Sequence, residues 1–232
     1  MSTPRSYDNS GRSQAATATR RRILEAARGL LLGGGYHAMS VAGLARAAGV
    51  SPQTVYNSVG GKAEVVKALY DVMLAGDESQ VPMSRRPEFL AVAEAEDRDG
   101  FGRAYAAFSA GILGRVGPLV GVLLAEGPGS DATLADFFAT IDRERLKGNT
   151  DAVRLLQRTH GLPAGRRRGA VVDEIWTLTS PEVFDRLVRR RGWSQRAYAA
   201  WLADALAAAC TRTTGTASGN ARRETRGGRS RP

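Results

Sequence analysis

The residues best suited to chemistry lie close together. Gln53, Thr54, Tyr56 and Asn57 fall on one side of a short segment, while Val55 and Val59 can face inward. Glutamine and asparagine can bond adenine through a paired donor and acceptor, and a threonine methyl can touch a thymine methyl. With basic residues on both flanks, short polar side chains of this kind suit the major groove of duplex DNA. Catalysis finds no comparable set. The single cysteine, Cys210, excludes a disulfide framework and a cysteine-based zinc site, and His37 and His160 do not form a metal-spaced pair. There is no Ser-His-Asp order, nucleophile elbow or Walker loop. Gly33, Gly34 and Gly35 follow a helical pattern rather than a strand, and no Gly-Lys-Ser/Thr comes after them, so they read as a helix end. The expectation is a protein that is not an enzyme and uses no cofactor and no metal.

Charge points the same way. The chain has 232 residues, of which 33 are basic and 23 acidic, for a formal net charge of +10. Residues 19–75 carry seven basic and three acidic side chains, residues 76–210 eighteen of each, and residues 211–232 six and one. The excess therefore sits in the N-terminal third and the tail, beside a neutral body. That is the pattern of an anion-facing module joined to a neutral core. A hydrophobic share of 43% suffices to bury such a core. The longest apolar run, Leu119 to Ala125, is too short to span a bilayer, and Met1–Ala18 has no apolar signal-peptide core. A soluble, cytoplasmic protein with no membrane partner is expected.

The elements that must position the polar segment read as helices throughout, with no convincing alternating strand pattern. Ile23, Ala27, Leu30 and Leu31 share one face of a first helix. Val41, Leu44, Ala45 and Ala48 repeat the pattern in a short second helix capped by Ser40 and closed by Gly49. Ser51 caps a third, with Pro52 in its first turn. A fourth starts after Gly60 and Gly61 and buries Val65, Val66, Leu69, Tyr70 and Met73. The second and third helices, with a glycine turn between them, have the spacing of a helix-turn-helix. Later helices are predicted at Asp99–Arg115, Pro118–Glu126, Asp131 to about Arg158, Ala170–Thr179, Pro181–Arg191 and Ser194–Ala209. Residues 1–18 and 211–232 read as disordered, the second as a basic tail that is either solvated or a non-specific phosphate arm.

Residues 19–73 resemble the DNA-binding domain of the TetR family of bacterial transcriptional regulators. The likeness is carried by Arg20, Ile23-Leu24-Glu25-Ala26-Ala27, Gly35-Tyr36, Ser40-Val41, Leu44-Ala45, Ala47-Ala48-Gly49-Val50-Ser51, Thr54-Val55-Tyr56 and Lys62. The resemblance implies that Thr54 and Tyr56 contact DNA from the recognition helix, that Lys62 grips a phosphate with help from the helix N-terminus, and that Ser40 bonds a backbone phosphate. Ser51 joins this DNA-binding set as the cap of the recognition helix. Gln53 and Asn57 occupy the variable positions and are the choice for base readout. The sequence departs from the family at Val59, where an aromatic is common, and at Gly61, where a serine is common and would cap the fourth helix. Ala42 and Gly43 are small, which leaves base reading to the third helix.

The resulting expectation is an all-α chain: an N-terminal three-helix helix-turn-helix domain at 19–75, then a larger helical effector-binding and dimerisation domain at 76–210. Tyr70, Met73, Phe101, Tyr105, Phe108, Phe137 and Phe138 are the candidates to line an effector pocket, ordinary core being the competing reading. Val171, Ile175, Trp176, Tyr198, Trp201, Leu202, Ala205 and Leu206, on the last two long helices, are the candidates for a homodimer interface in a four-helix bundle. Expected partners are a double-stranded DNA operator, a small-molecule effector and a second copy of the chain. The function so read is a ligand-responsive repressor, with an activator or an architectural DNA-binding protein as alternatives.

Overall fold

A computed structural model describes residues 10–77, 81–127 and 131–213. Most of the basic tail, residues 214–232, and the first nine residues lie outside the described part. Within it the chain is helical and contains no strand.

Helix α1 spans Ser10–Ala38, with a break at Gly35, whose φ of 81° lies in the left-handed region. Gly33 and Gly34 remain helical, so one glycine of the three ends the run. The helix begins nine residues before the expected boundary at 19. Ala15, Ala16 and Ala18 favour helix and nothing after Gly11 interrupts it, so local propensity extends a helix that composition alone reads as disordered. Ile23, Leu24, Ala27 and Leu31 form its buried stripe.

Helices α2 (Val41–Ala48) and α3 (Pro52–Ser58) follow. Gly49 between them has φ 65° and ψ 40°, and its N–H donates to carbonyls at the end of α2. A left-handed residue here lets the chain reverse within three residues, a conformation that a side chain would strain. Helix α4 (Lys62–Ala75) runs on without a side-chain cap at Gly61, as the missing serine implied. Val65, Val66, Leu69 and Tyr70 are buried on it, and Met73 is half-buried.

Helix α5 (Pro87–Ala93) leads into the central helix α6 (Arg98–Glu126), which is one element of 29 residues. Two helices were expected here, parted before Pro118. Pro118 lies exposed, and Val116, Leu119 and Val120 beside it are buried. Packing on both sides of the missing N–H donor keeps the helix continuous. By length and composition α6 could cross a membrane. Here α1, α4, α5, α9 and α10 pack around it.

Helix α7 (Ala132–Thr159) is capped by Asp131, whose carboxylate accepts from the N–H groups of Thr133 (2.7 Å) and Leu134 (3.3 Å). Helices α8 (Arg168–Leu178), α9 (Pro181–Phe184, continued by a wider turn to Arg190) and α10 (Gln195–Thr211) complete the body. Helix α10 lies along α6. At Gly102 a Cβ would come within 2.7 Å of the α10 backbone at Ala207, so only glycine allows this approach. One continuous apolar core runs from the first helix to the last.

Candidate DNA-binding surface and ligand cavity

The polar residues of α3 are placed by caps and by the core beneath them. Val55 is fully buried under α3, and Leu44, Ala45 and Ala48 are buried under α2, which fixes the crossing of the two helices. The Ser51 hydroxyl accepts from the Thr54 N–H at 3.0 Å and lies 2.8 Å from the Thr54 hydroxyl. Ser40 caps α2 in the same way, accepting from the Gly43 N–H at 3.1 Å. At the other end of α3, Arg20 of α1 donates to the Ser58 carbonyl at 3.2 Å. A guanidinium there holds the C-terminus of the helix electrostatically as well. Sequence spacing gives no hint of that contact, which spans 38 residues.

The surface so built presents Gln53, Tyr56 and Asn57 to solvent, with Thr54 half-exposed. Gln53 Nε2 donates to Asn57 Oδ1 at 2.9 Å, so the two amides are held side by side one turn apart. Tyr56 is 53% exposed, which is unusual for so large a ring and leaves its hydroxyl free to reach outward.

Lys62 opens α4 beside this surface. Its ammonium sits 3.8 Å from the centre of the Tyr36 ring and is half-buried. Desolvation lowers its pKa, while Asp131 and Glu126 pull the other way. The ring therefore fixes the position of the charge at the start of α4 without neutralising it. The same corner ties the head to the body. Glu126, the last residue of α6, accepts from the Tyr36 N–H at 3.0 Å, and its second oxygen lies 3.6 Å from His37 Nε2. At the far end of α4, Arg115 of α6 donates to the carbonyls of Met73 (3.1 Å) and Leu74 (2.8 Å). Helix α4 is thus gripped by α6 at its C-terminus, while α1, joined to it through Lys62 and Tyr36, is gripped at Glu126.

Between α4, α6 and α7 lies a cavity of about 550 Å³. Of the seven residues expected to line it, Tyr70, Tyr105 and Phe108 do. The other four pack elsewhere. Phe101 is fully buried between Tyr105 and the edge of His160. Phe137 stacks edge-on against Tyr70 and Phe138 from outside the cavity, and Met73 is not part of its lining. One turn of helix separates lining from packing positions, and aromatic spacing alone does not say which is which. The sequence reading missed the polar lining: Ser109 on α6, Arg145 and Asn149 on α7, and Thr179 after α8. Tyr105 donates from its hydroxyl to Asn149 Oδ1 at 3.0 Å, and Asn149 Nδ2 donates to the Arg145 carbonyl at 2.9 Å. Burial pushes the Tyr105 phenol well above its ordinary pKa, so it stays neutral.

The residues expected at a dimer interface differ in how far the single chain covers them. Val171, Ile175, Tyr198, Leu202 and Leu206 are buried within the single chain, and Trp176, Trp201 and Ala205 are half-buried. Helix α10 turns its large side chains toward α6 and α8, because a chain of this length has enough helices to cover them. What α8 and α10 present outward mixes small and charged residues: Ala170, Asp173 and Thr177 on one, Arg196, Ala197, Ala200, Asp204 and Ala208 on the other.

Comparison with known proteins agrees with this architecture. The family model described as bacterial regulatory proteins, tetR family, matches residues 23–69. No curated protein matches the chain. Among solved structures, a chain from Rhodococcus sp. assigned to the TetR-family transcriptional regulators is 14% identical, with a TM-score of 0.63 over 84% of this chain and 100% of that one. The SmeT–triclosan complex is 15% identical, TM-score 0.63, covering 88% and 99%. MexZ, a repressor responsible for antibiotic resistance in Pseudomonas aeruginosa, is 20% identical, TM-score 0.55, covering 85% and 96%. At these identities the likeness is one of fold. Residues 23–69 thus match the helix-turn-helix of the tetR family of bacterial regulatory proteins, and the chain as a whole shares the fold of these regulators.

Proposed function

We propose that the protein is a homodimeric, ligand-responsive transcriptional repressor acting on a near-palindromic operator. The observation that carries this reading is the double role of α4. At one end Lys62 stands beside the recognition helix, and along its length Lys67, Tyr70 and Leu74 line the cavity. A molecule that fills the cavity must press on the helix that positions the DNA-facing surface. Coupling of this kind requires that the ligand bind the DNA-competent and the released arrangements with different affinity. The SmeT structure holds triclosan and MexZ is called a repressor, which supports a ligand and a repressing role for a chain of the same fold. Location in the bacterial cytoplasm follows from the same reading.

Within the proposal, Gln53 and Asn57 read bases, Thr54 and Tyr56 contact DNA beside them, and Lys62 and Ser40 hold phosphates. Ser51 keeps α3 in register. Pairing of two chains takes place through the outward faces of α8 and α10, where alanines allow close approach of helices. Residues 19–75 act as the DNA-binding domain and 76–210 as the effector and dimerisation domain.

Binding selection on random duplexes, followed by sequencing, tests the reading. The expected product is an enriched motif with two inverted half-sites. Enrichment of no motif, or retention that varies with salt alone, would make the protein an architectural binder instead.

A further inference from the structure

The cavity also says what chemistry it accepts, an inference that rests on its being the effector site. Its cations are already committed. Lys67 lies 2.5 Å from Asp71 and 3.1 Å from Glu144. Burial lowers the pKa of its ammonium, and the bonds to these two carboxylates outweigh that and raise it. Arg145 donates to Asp142 at 3.0 Å and to the Trp176 carbonyl at 2.8 Å, and Lys147 lies 3.0 Å from Asp151. An incoming carboxylate would have to displace a protein carboxylate to gain a partner. An incoming ammonium would meet the same pairing from the other side, with the Arg145 charge close to both Tyr70 and Tyr105. Either ion would lose its hydration with no free counter-charge to replace it.

Apart from the paired Arg145, the inner polar groups are uncharged. Tyr105, Ser109, Asn149 and Thr179 are each at least nine-tenths buried. Asn149 Nδ2 uses one hydrogen on the Arg145 carbonyl and keeps its second. Ser109, one turn beyond Tyr105 on α6, has a hydroxyl with no partner among the described residues. This end of the cavity therefore offers hydrogen-bond donors. The other end is apolar, walled by Leu74, Ile112, Leu113 and Val116.

We propose that the cavity takes an uncharged, largely apolar molecule with one hydrogen-bond acceptor, such as a ketone or ester oxygen, placed at Ser109 and Asn149. Its apolar body lies along Leu74, Ile112 and Val116. Three probes of one shape and different charge test this on the full chain by titration calorimetry at neutral pH: 4-acetylbiphenyl, biphenyl-4-carboxylate and 4-(aminomethyl)biphenyl. The ketone is expected to bind at least about tenfold tighter than either ion. Ser109→Asp, which puts a carboxylate at the donor end, should shift the preference to the amine. Ile112→Trp, or Leu74→Trp if the first does not fold, should abolish binding of every probe by filling the cavity. A carboxylate or amine preferred by the unaltered protein, with binding lost in the tryptophan variant, overturns the uncharged-ligand inference and leaves the site standing. Binding of none of the probes, or binding that survives the tryptophan, overturns the cavity as the effector site and this inference with it.

Discussion

Gln53 donates one hydrogen bond to Asn57 in the free protein, and that sets how the pair can read DNA. Each must trade part of that bond for a base edge, so a base that takes both amides at once loses least. Asn57→Ala or Gln53→Ala is expected to relax preference at one operator position per half-site, at about 1–3 kcal/mol per lost bidentate contact. Lys62→Ala should weaken binding to all sequences alike and flatten the salt dependence by about one phosphate per half-site. Isotherms on matched and altered duplexes at two salt concentrations separate the two; equal loss on every sequence for Asn57→Ala would remove it from base readout. Cys210 belongs to the same scale. Burial pushes its thiol up to about 12, so it stays protonated and unreactive while the protein is folded. A thiol reagent at pH 8 should label it only after denaturant is added. The polar face of α3 was legible in the sequence because it is local and exposed. The polar end of the cavity was not: Tyr105, Asn149 and Thr179 lie on three different segments and meet only after packing.

At the scale of elements, periodicity located nearly every helix and misjudged where two of them end. Gly11 and the polar residues around it hid the start of α1, and Pro118 suggested a break that packing overrides. The face that a helix turns to its neighbour was the harder question. Helix α10 carries large residues in a stripe, and nothing local says whether α6 or a second chain covers them; Gly102 decides it by bringing the α6 and α10 backbones together. Arg115 shows what such contacts do. It satisfies two carbonyls at the C-terminus of α4, where a cation also favours the helix dipole. Arg115→Ala should cost about 1.5–3 kcal/mol, the range for hydrogen bonds to a charged group. Urea unfolding would show it as a lowered midpoint with an unchanged slope. A midpoint equal to that of the unaltered protein would mean that water replaces the clamp at no cost.

For the whole molecule, burial within the chain changes what a test of dimerisation must be. Leu206→Glu places a charge in the core of one chain and should unfold it, whatever the assembly. Ala200→Glu, on the outward face of α10, should leave the fold intact and separate the two chains. The neutral body and basic head fit that arrangement, since outside the tail the excess of positive charge sits in the segment proposed to meet phosphate. The most direct test of the account is sedimentation equilibrium of the protein with a selected operator duplex, compared with the same duplex carrying one scrambled half-site. Two chains per duplex are predicted, with affinity falling sharply when either half-site is lost and with Ala200→Glu binding both duplexes alike. One chain per duplex, or equal affinity for the intact and half-scrambled operators, would contradict a dimeric regulator reading two half-sites.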